Sequence, residues 1–553
     1  MADTSTLRKT LARPGAGHRE RTLPEPTKPS SVTLPSIVCA FLALTIGLTL
    51  LAGVLANDGQ FVFSLDDPYI HLAMARNLAL HGTWGVTADA FTATSSAPLY
   101  TLVLAGLFLV VGPTALWSWL LPIIAGLAIA WILAARLQAV FAYRIVALWA
   151  GVWAVIATGL PETMFTGMEH TLHALVVLLL ATEVSRSKEN APNAVVIAAL
   201  CLLAGGLRYE SLFLLPAIAG ILIGRRQIGL AMVAAISLCL PALILGLIQA
   251  GHSLSFLPTT VMLKGVIGTQ LRGNYLERFL LQVDSGILIP IAIALGTGIL
   301  LDVIFQRADG RNSRLPAAIM FLSASIFHMA FAINERRYVV YLVALGIWAL
   351  TPWLTEWLSE LRRRLPNHAP PSRSIWVAFS AALVIAMVFP FSERFLDLAR
   401  LPRLGQDIHA QQQQMARFFA EQYPGERIAL NDVGMVAWTG ANPVFDIAGL
   451  ATPEVARLFI DGRYDGNALA DLARTQGVDV AAIYPGWLSR YGGVPTQWRP
   501  VGAWLLRDGL QTNVASPQVV FFATNPEAAE PLKHRLAEFA PKLPETVTFT
   551  PFM

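Results

Sequence analysis

Two adjacent carboxylates, Asp66 and Asp67, stand between a long apolar segment and a proline, in Ser64-Leu65-Asp66-Asp67-Pro68-Tyr69-Ile70-His71. An ionised carboxylate held beside an apolar slab can serve as a general base, a metal ligand or an ion-pair partner. The run from Tyr69 to Leu80 reads as a helix ending near Gly82, with Asp67 as its N-cap and Pro68 as its first helical residue. A helix N-terminus carries partial positive charge and favours the ionised form of both acids. On these residues alone, a capping aspartate with a solvated neighbour explains the pair as well as a reactive one does.

Other polar groups recur at the ends of apolar runs. They are Glu169 in Gly167-Met168-Glu169-His170, Arg208 and Glu210 in Arg208-Tyr209-Glu210, and Lys264 after Pro258-Thr259-Thr260. His328 is followed by Asn334-Glu335-Arg336-Arg337-Tyr338. Any one of them taken alone is explained as an interfacial anchor. Acids and bases gathered on one side, from different spans, line a cavity suited to an anionic, lipid-anchored substrate. The chain has no Gly-x-Ser-x-Gly elbow and no His-Glu-x-x-His, so hydrolase chemistry of those kinds has no support.

The elements that must position these groups are membrane spans. The 553 residues are 55% hydrophobic and 14% charged, whereas a soluble protein carries roughly a quarter charged residues. The apolar residues lie in long runs. The net charge of +4 gives no indication of nucleic-acid binding. The three cysteines, Cys39, Cys201 and Cys239, fall inside apolar runs and imply no disulfide framework. Residues 1–33 read as a basic, disordered cytoplasmic tail. Leu34–Ala56 is too long for a signal-peptide core and reads as a retained first span.

Pro98 to Gly112 is short for a span and reads as re-entrant or interfacial. Further spans are expected at approximately Thr114–Ala135, Ile145–Leu160, Thr171–Val184, Ala194–Leu207, Leu212–Ile223, Ile228–Ala250, Gly286–Phe305, Leu315–Ile333, Tyr338–Trp357 and Ile375–Phe391. That makes about eleven transmembrane helices. Arg136, Arg144, Arg186, Lys188, Arg225, Arg226, Arg307, Arg311 and Arg314 then lie in cytoplasmic loops, which places Asp66 and Asp67 outside. The fold class is a polytopic α-helical membrane protein, residues 34–391, with an extracytoplasmic α/β domain at 392–553. Strands are expected at Arg427–Asn431, Val444–Ile447, Val480–Tyr484, Ala503–Arg507 and Val519–Ala523. Helices are expected at Ile408–Gln422, Thr452–Leu458, Ala468–Gly477 and Glu527–Phe539.

The Asp66-Asp67-Pro68-Tyr69-Ile70-His71 stretch, with Ala75-Arg76-Asn77-Leu78 and Thr94-Ser95-Ser96-Ala97-Pro98-Leu99-Tyr100, resembles the first outer loop of GT-C glycosyltransferases. The nearest flavour is the bacterial arabinofuranosyl- and mannosyltransferase-like group. Gly167-Met168-Glu169 is similar to that group's second acidic motif. Arg208-Tyr209-Glu210 is similar to its Arg-Pro-Glu, with Tyr209 in place of proline. Pro258-Thr259-Thr260 with Lys264 resembles its Pro-Asn-Thr…Lys loop, and Arg337-Tyr338 its Arg-Phe/Tyr signature. Asn431-Asp432-Val433-Gly434 and Asp446-Ile447-Ala448-Gly449-Leu450 resemble its soluble-region segments.

The resemblance implies transfer of a sugar from a polyprenyl-phosphate donor to a hydroxyl of a cell-envelope glycan, lipid or protein, on the outer face of the cytoplasmic membrane. It implies Asp66 as base, with Asp67 orienting it or capping the helix. Glu169 and Glu210 then bind substrate hydroxyls, and Lys264, Arg208, Arg336, Arg337 and His328 serve the phosphate and its surroundings. Asp432 and Asp446, beside Gly434 and Gly449, read as braces of their turns. No cofactor is predicted; Asp66, Asp67 and Glu169 could take a divalent cation, and none is assigned. The alternatives are a non-catalytic envelope scaffold and a lipid-linked-sugar transporter. The span centres are nearly free of charge, which counts against transport.

Overall fold

The computed structural model describes residues 33–186, 192–263, 288–304, 311–332, 335–364, 389–403, 405–440, 442–507 and 513–552. Lys264, Asn334 and most of the segment expected as the span Ile375–Phe391 lie outside them.

Helices α1 (Leu34–Ala56), α2 (Asp67–His81), α3 (Pro98–Val111), α4 (Leu116–Val140) and α5 (Arg144–Thr158) open the chain. The short α6 (Leu160–Met164), then α7 (His170–Val184), α8 (Ala194–Leu207), α9 (Leu215–Gly224) and α10 (Ile228–Gly251) follow. Beyond them come α11 (Ile289–Ile304), α12 (Arg311–Phe331) and α13 (Val340–Arg364). Among the described residues, four stretches are long and apolar enough to cross a membrane: Leu34–Ala56, Leu116–Val140, Ile228–Gly251 and Arg314–Phe331. Six shorter helices are apolar as well. Leu44, Leu48, Leu51 and Leu55 of α1 and Leu243, Leu247 and Ile248 of α10 face outward, as expected of helices whose surroundings are hydrocarbon.

Helix α13 is the central strut, with every residue from 338 to 351 buried. Pro352 within it removes a backbone donor, and the Thr351 hydroxyl donates to the Trp348 carbonyl at 2.8 Å in its place. Helices α8 and α10 approach through Gly205, where a Cβ would lie 2.1 Å from the Leu238 carbonyl oxygen. Helix α3 buries Tyr100, Thr101, Leu104 and Phe108 and turns Leu109 and Val110 outward.

The C-terminal segment holds a six-stranded sheet in the order β2-β1-β3-β5-β4-β6: β1 Ile428–Leu430, β2 Val444–Asp446, β3 Val480–Ile483, β4 Arg499–Leu506, β5 Gln518–Ala523 and β6 Val547–Pro551. β1 pairs in parallel with β2 and β3, and the other pairings are antiparallel. β6 was not expected from the sequence, and β4 begins earlier than Ala503. The helix expected over Ile408–Gln422 is two, Gln406–Ala410 and Gln412–Gln422. The described residues from Leu34 onward pack as one compact unit. One hydrophobic core holds Leu72 and Met74 of α2, Tyr100 and Leu104 of α3, and Phe418, Phe419 and Phe521 from around the sheet. The sheet is thus seated on α2 and α3 through shared apolar burial.

Candidate active site

The short helix Gly434–Thr439 is held at one end by Asp66, which precedes α2, and at the other by Arg76 within α2. The Asp66 carboxylate accepts the backbone N–H groups of Gly434 at 2.6 Å and Met435 at 2.8 Å. Arg76, ten positions on, donates to the carbonyls of Ala437 at 2.9 Å and Trp438 at 2.5 Å. An acid at the N-terminus and a guanidinium at the C-terminus match the helix dipole. The sequence placed the α2 cap on Asp67. The helix instead includes Asp67, with Asp66 before it, and Asp66 turns its oxygens to a second helix rather than its own. Gly434 allows the approach, since a Cβ there would sit 2.3 Å from the Asp66 carbonyl oxygen. Gly434→Ala is expected to weaken this seat by about 1–3 kcal/mol, read as a lower thermal midpoint of the purified protein; an unchanged midpoint would remove the clamp from the account.

Asp66 is 8% exposed. Burial pushes its carboxyl well above the usual range, as does the neighbouring Asp432, while the Met435 and Gly434 N–H groups pull it back. Asp432 accepts from Tyr484 Oη and Gln412 Nε2, both at 2.8 Å, and burial raises it too. Asp67 differs: its side chain is 42% exposed, and its Oδ2 meets Arg337 Nη2 at 2.9 Å.

From Arg337 a continuous polar network runs inward. The guanidinium of Arg337 lies over the Tyr338 ring at 5.1 Å, and that of Arg208 lies 4.7 Å from the same ring. Arg208 donates to Glu169 Oε1 at 2.6 Å and to both oxygens of Glu210 at 3.0 and 2.5 Å. Glu169 is fully buried, and its Oε2 lies 3.9 Å from His71 Nε2. His71 in turn meets the Thr101 hydroxyl at 3.0 Å. Arg208 between the two carboxylates forms a buried ion triad, in which Glu169 Oε2 is left without a hydrogen-bond partner among the described residues. The second carboxylate on Arg337 is Glu335, at 3.2 Å.

The sequence motifs also brace one another. Tyr100 Oη and Ser118 Oγ donate to the Gly167 carbonyl at 2.9 and 2.5 Å, which fixes the turn that delivers Glu169. Gly167 has φ of +67°, and a Cβ there would meet the Phe63 ring at 2.6 Å, so the turn requires glycine. Thr94 and Thr259 both donate to the Leu450 carbonyl, at 2.9 and 2.7 Å, and Thr260 donates to the Thr94 carbonyl. Asp446 accepts the N–H groups of Ala448 and Ala451, both at 2.8 Å, and so shapes the turn that presents Leu450.

Of the residues singled out in the sequence, Asp67, Glu169, Arg208, Glu210 and Arg337 form the network, and Asp66 borders it. Arg336 goes elsewhere: it pairs with Asp397 and Glu393, and its carbonyl accepts from Arg394, which also meets Glu162. His328 lies against Tyr341, 3.3 Å from its hydroxyl. His71, Tyr338 and Asp432 are site members that the sequence did not single out for chemistry. Tyr338 had a positional signal, since it follows Arg337, and His71 and Asp432 lay within quoted motifs without adjoining a chosen acid or arginine. Among the described residues no three His, Cys, Asp or Glu side chains gather as a metal-ligand group.

Residues 406–522 match a family described as a domain of unknown function, DUF8728, which covers less than half of the chain. No curated protein matches. Among solved structures, one that is similar is the crystal structure of ArnT from Cupriavidus metallidurans bound to undecaprenyl phosphate. The match has 12% identity and a TM-score of 0.49, over 89% of this chain and 99% of that one.

Proposed function

We propose that this chain is a GT-C-type membrane glycosyltransferase that moves a sugar from a polyprenyl phosphate to an acceptor hydroxyl at the outer face of the cytoplasmic membrane. The observation that carries the reading is the convergence of Asp67, Glu169, Arg208, Glu210 and Arg337. They come from separate elements into one network at one end of an apolar bundle.

In this reading the acceptor oxygen attacks the anomeric carbon while a carboxylate takes its proton. The sugar–phosphate bond breaks, and the electron pair leaves on the polyprenyl phosphate. Both oxygens of Asp66 already hold backbone N–H groups. We therefore give the base to Asp67, the more exposed acid, and to Asp66 the task of fixing the loop. Arg337 stands beside Asp67 and supplies positive charge for the departing phosphate. Arg208, already held by two glutamates, positions Glu169 and Glu210 toward sugar hydroxyls. Lys264 keeps its phosphate role on its place in the motif alone, and His328 is a support through Tyr341.

The test is mass spectrometry of lipids retained by purified full-length Asp67→Asn. The expected result is a polyprenyl-phosphate sugar held by the variant and consumed by the wild type when acceptor is added. Ordinary phospholipids only, with a variant that behaves as wild type in cells, would overturn the assignment and favour a scaffold.

A further inference from the structure

Helices α4, α7 and α12 carry a second polar cluster near their ends away from the acid–arginine network, against the middle of α13. Helix α7 begins at His170, beside Glu169, and Ser185 follows its last residue. At 1.5 Å per residue, Ser185 is about 24 Å along the axis from Glu169. At that end a cavity of about 170 Å³ is lined by Arg136, Thr182, Ser185, Arg186, Arg314 and Trp348, among others. It is several times the roughly 30 Å³ share of one water.

Its lining is cationic. Arg314 is held by Asp302 and Glu356, and Arg186 by Glu183 at 3.0 Å, but none of those carboxylates lines the cavity. Glu183 also accepts the Asn193 N–H, and Asp302 the Trp353 indole, so each carboxylate is shared between its arginine and a second donor. Arg136 meets no carboxylate among the described residues; its guanidinium lies 4.3 Å from the centre of the Trp348 ring. That stacking fixes the plane of the fork and leaves its N–H edge for an anion. The Ser185 hydroxyl is buried without a hydrogen-bond partner, a group expected to have one. Arg225 donates to the Val184 carbonyl at 2.7 Å, adding a further cation next to Ser185.

From these observations we infer that the cavity is a binding site for a phosphate-bearing anion, separate from the acid–arginine network. Arg136 and Arg186 engage the phosphate oxygens, and Ser185 donates the third hydrogen bond. Two sources share this chemistry, an anionic phospholipid headgroup and a soluble phosphate. A basic pocket between helices, near the ends of apolar segments, is the setting in which lipid headgroups are bound.

The experiment uses the full-length protein in two arms. In the first, protein from phosphatidylcholine vesicles containing phosphatidylglycerol is released into native mass spectrometry. In the second, detergent-solubilised protein is titrated with inorganic phosphate while its thermal midpoint is followed. Retained phosphatidylglycerol supports the site with a lipid occupant, and a rising midpoint with phosphate alone supports it with a soluble one. In either case Arg136→Gln should weaken binding at least about tenfold, the equivalent of losing one charged hydrogen bond. Arg186→Gln, at a side chain 50% exposed, gives a second variant that keeps the packing and should weaken binding in the same direction. Neither ligand bound, or binding unchanged in both variants, overturns the proposal.

Discussion

Replacing Arg208 with leucine is expected to cost about 3–5 kcal/mol, enough to empty the folded state of a marginally stable protein. The side chain is 3% exposed and donates to Glu169 and Glu210 together. Its removal leaves two carboxylates desolvated with no cation between them, and Glu169 itself is wholly buried. Lysine would restore the charge but not the fork that serves both oxygens of Glu210, so Arg208→Lys should recover part of the loss. The triple variant Arg208→Leu, Glu169→Gln, Glu210→Gln removes the imbalance and should melt nearer to the wild type than Arg208→Leu does. Thermal midpoints in one detergent measure all three. An Arg208→Leu protein as stable as the wild type would show that the triad is not the electrostatic centre described here.

Asp67→Asn is expected to lower sugar transfer by about 10²–10⁴-fold, the usual contribution of a positioned general base. Its thermal midpoint should stay close to that of the wild type. The side chain is 42% exposed, and an amide oxygen can still accept from Arg337. Asp66→Asn should behave in the opposite way. An asparagine offers one acceptor oxygen where Gly434 and Met435 present two N–H donors, and its NH₂ would face the second of them. The expected loss is about 1–3 kcal/mol of stability. Transfer by Asp66→Asn should track the fraction of folded protein. If Asp66→Asn is inactive yet melts like the wild type, while Asp67→Asn turns over, the base is Asp66 and the clamp is secondary.

The parts legible in the sequence were those set by local pattern. Helix α1 spans Leu34–Ala56, the limits of the apolar run itself, and α8 likewise spans Ala194–Leu207. Five of the six strands were expected: β1, β2 and β3 lie within the expected runs, while β4 and β5 begin before theirs. β6 was missed although Val547-Thr548-Phe549-Thr550 alternates in the period of a half-buried strand; its pairing with β4 comes only from the tertiary structure. The cap of α2 was misplaced by one residue because Asp66 and Asp67 are equivalent as capping types. What separates them is a partner 368 positions away. Arg336 and Arg337 are also equivalent in sequence. They occupy one turn and point apart, Arg336 to Asp397 and Arg337 to Asp67. The motifs identified which residues matter, but the joining of Glu169 to Arg208, 39 positions apart, is a property of helix packing alone.

The clamp on the Gly434–Thr439 helix has a consequence for the making of the protein. The anchors Asp66 and Arg76 are synthesised early, and the helix that they hold comes more than 350 residues later. At about 5–20 residues per second, the ribosome takes roughly 20–70 s to close that gap. Through this interval the first loop carries an acid and an arginine with their final partners not yet made. The acid pair therefore acquires its mature surroundings only when the C-terminal segment emerges and packs. A ribosome that stops short of Gly434 would release a bundle whose loop before α2 has nothing to close on.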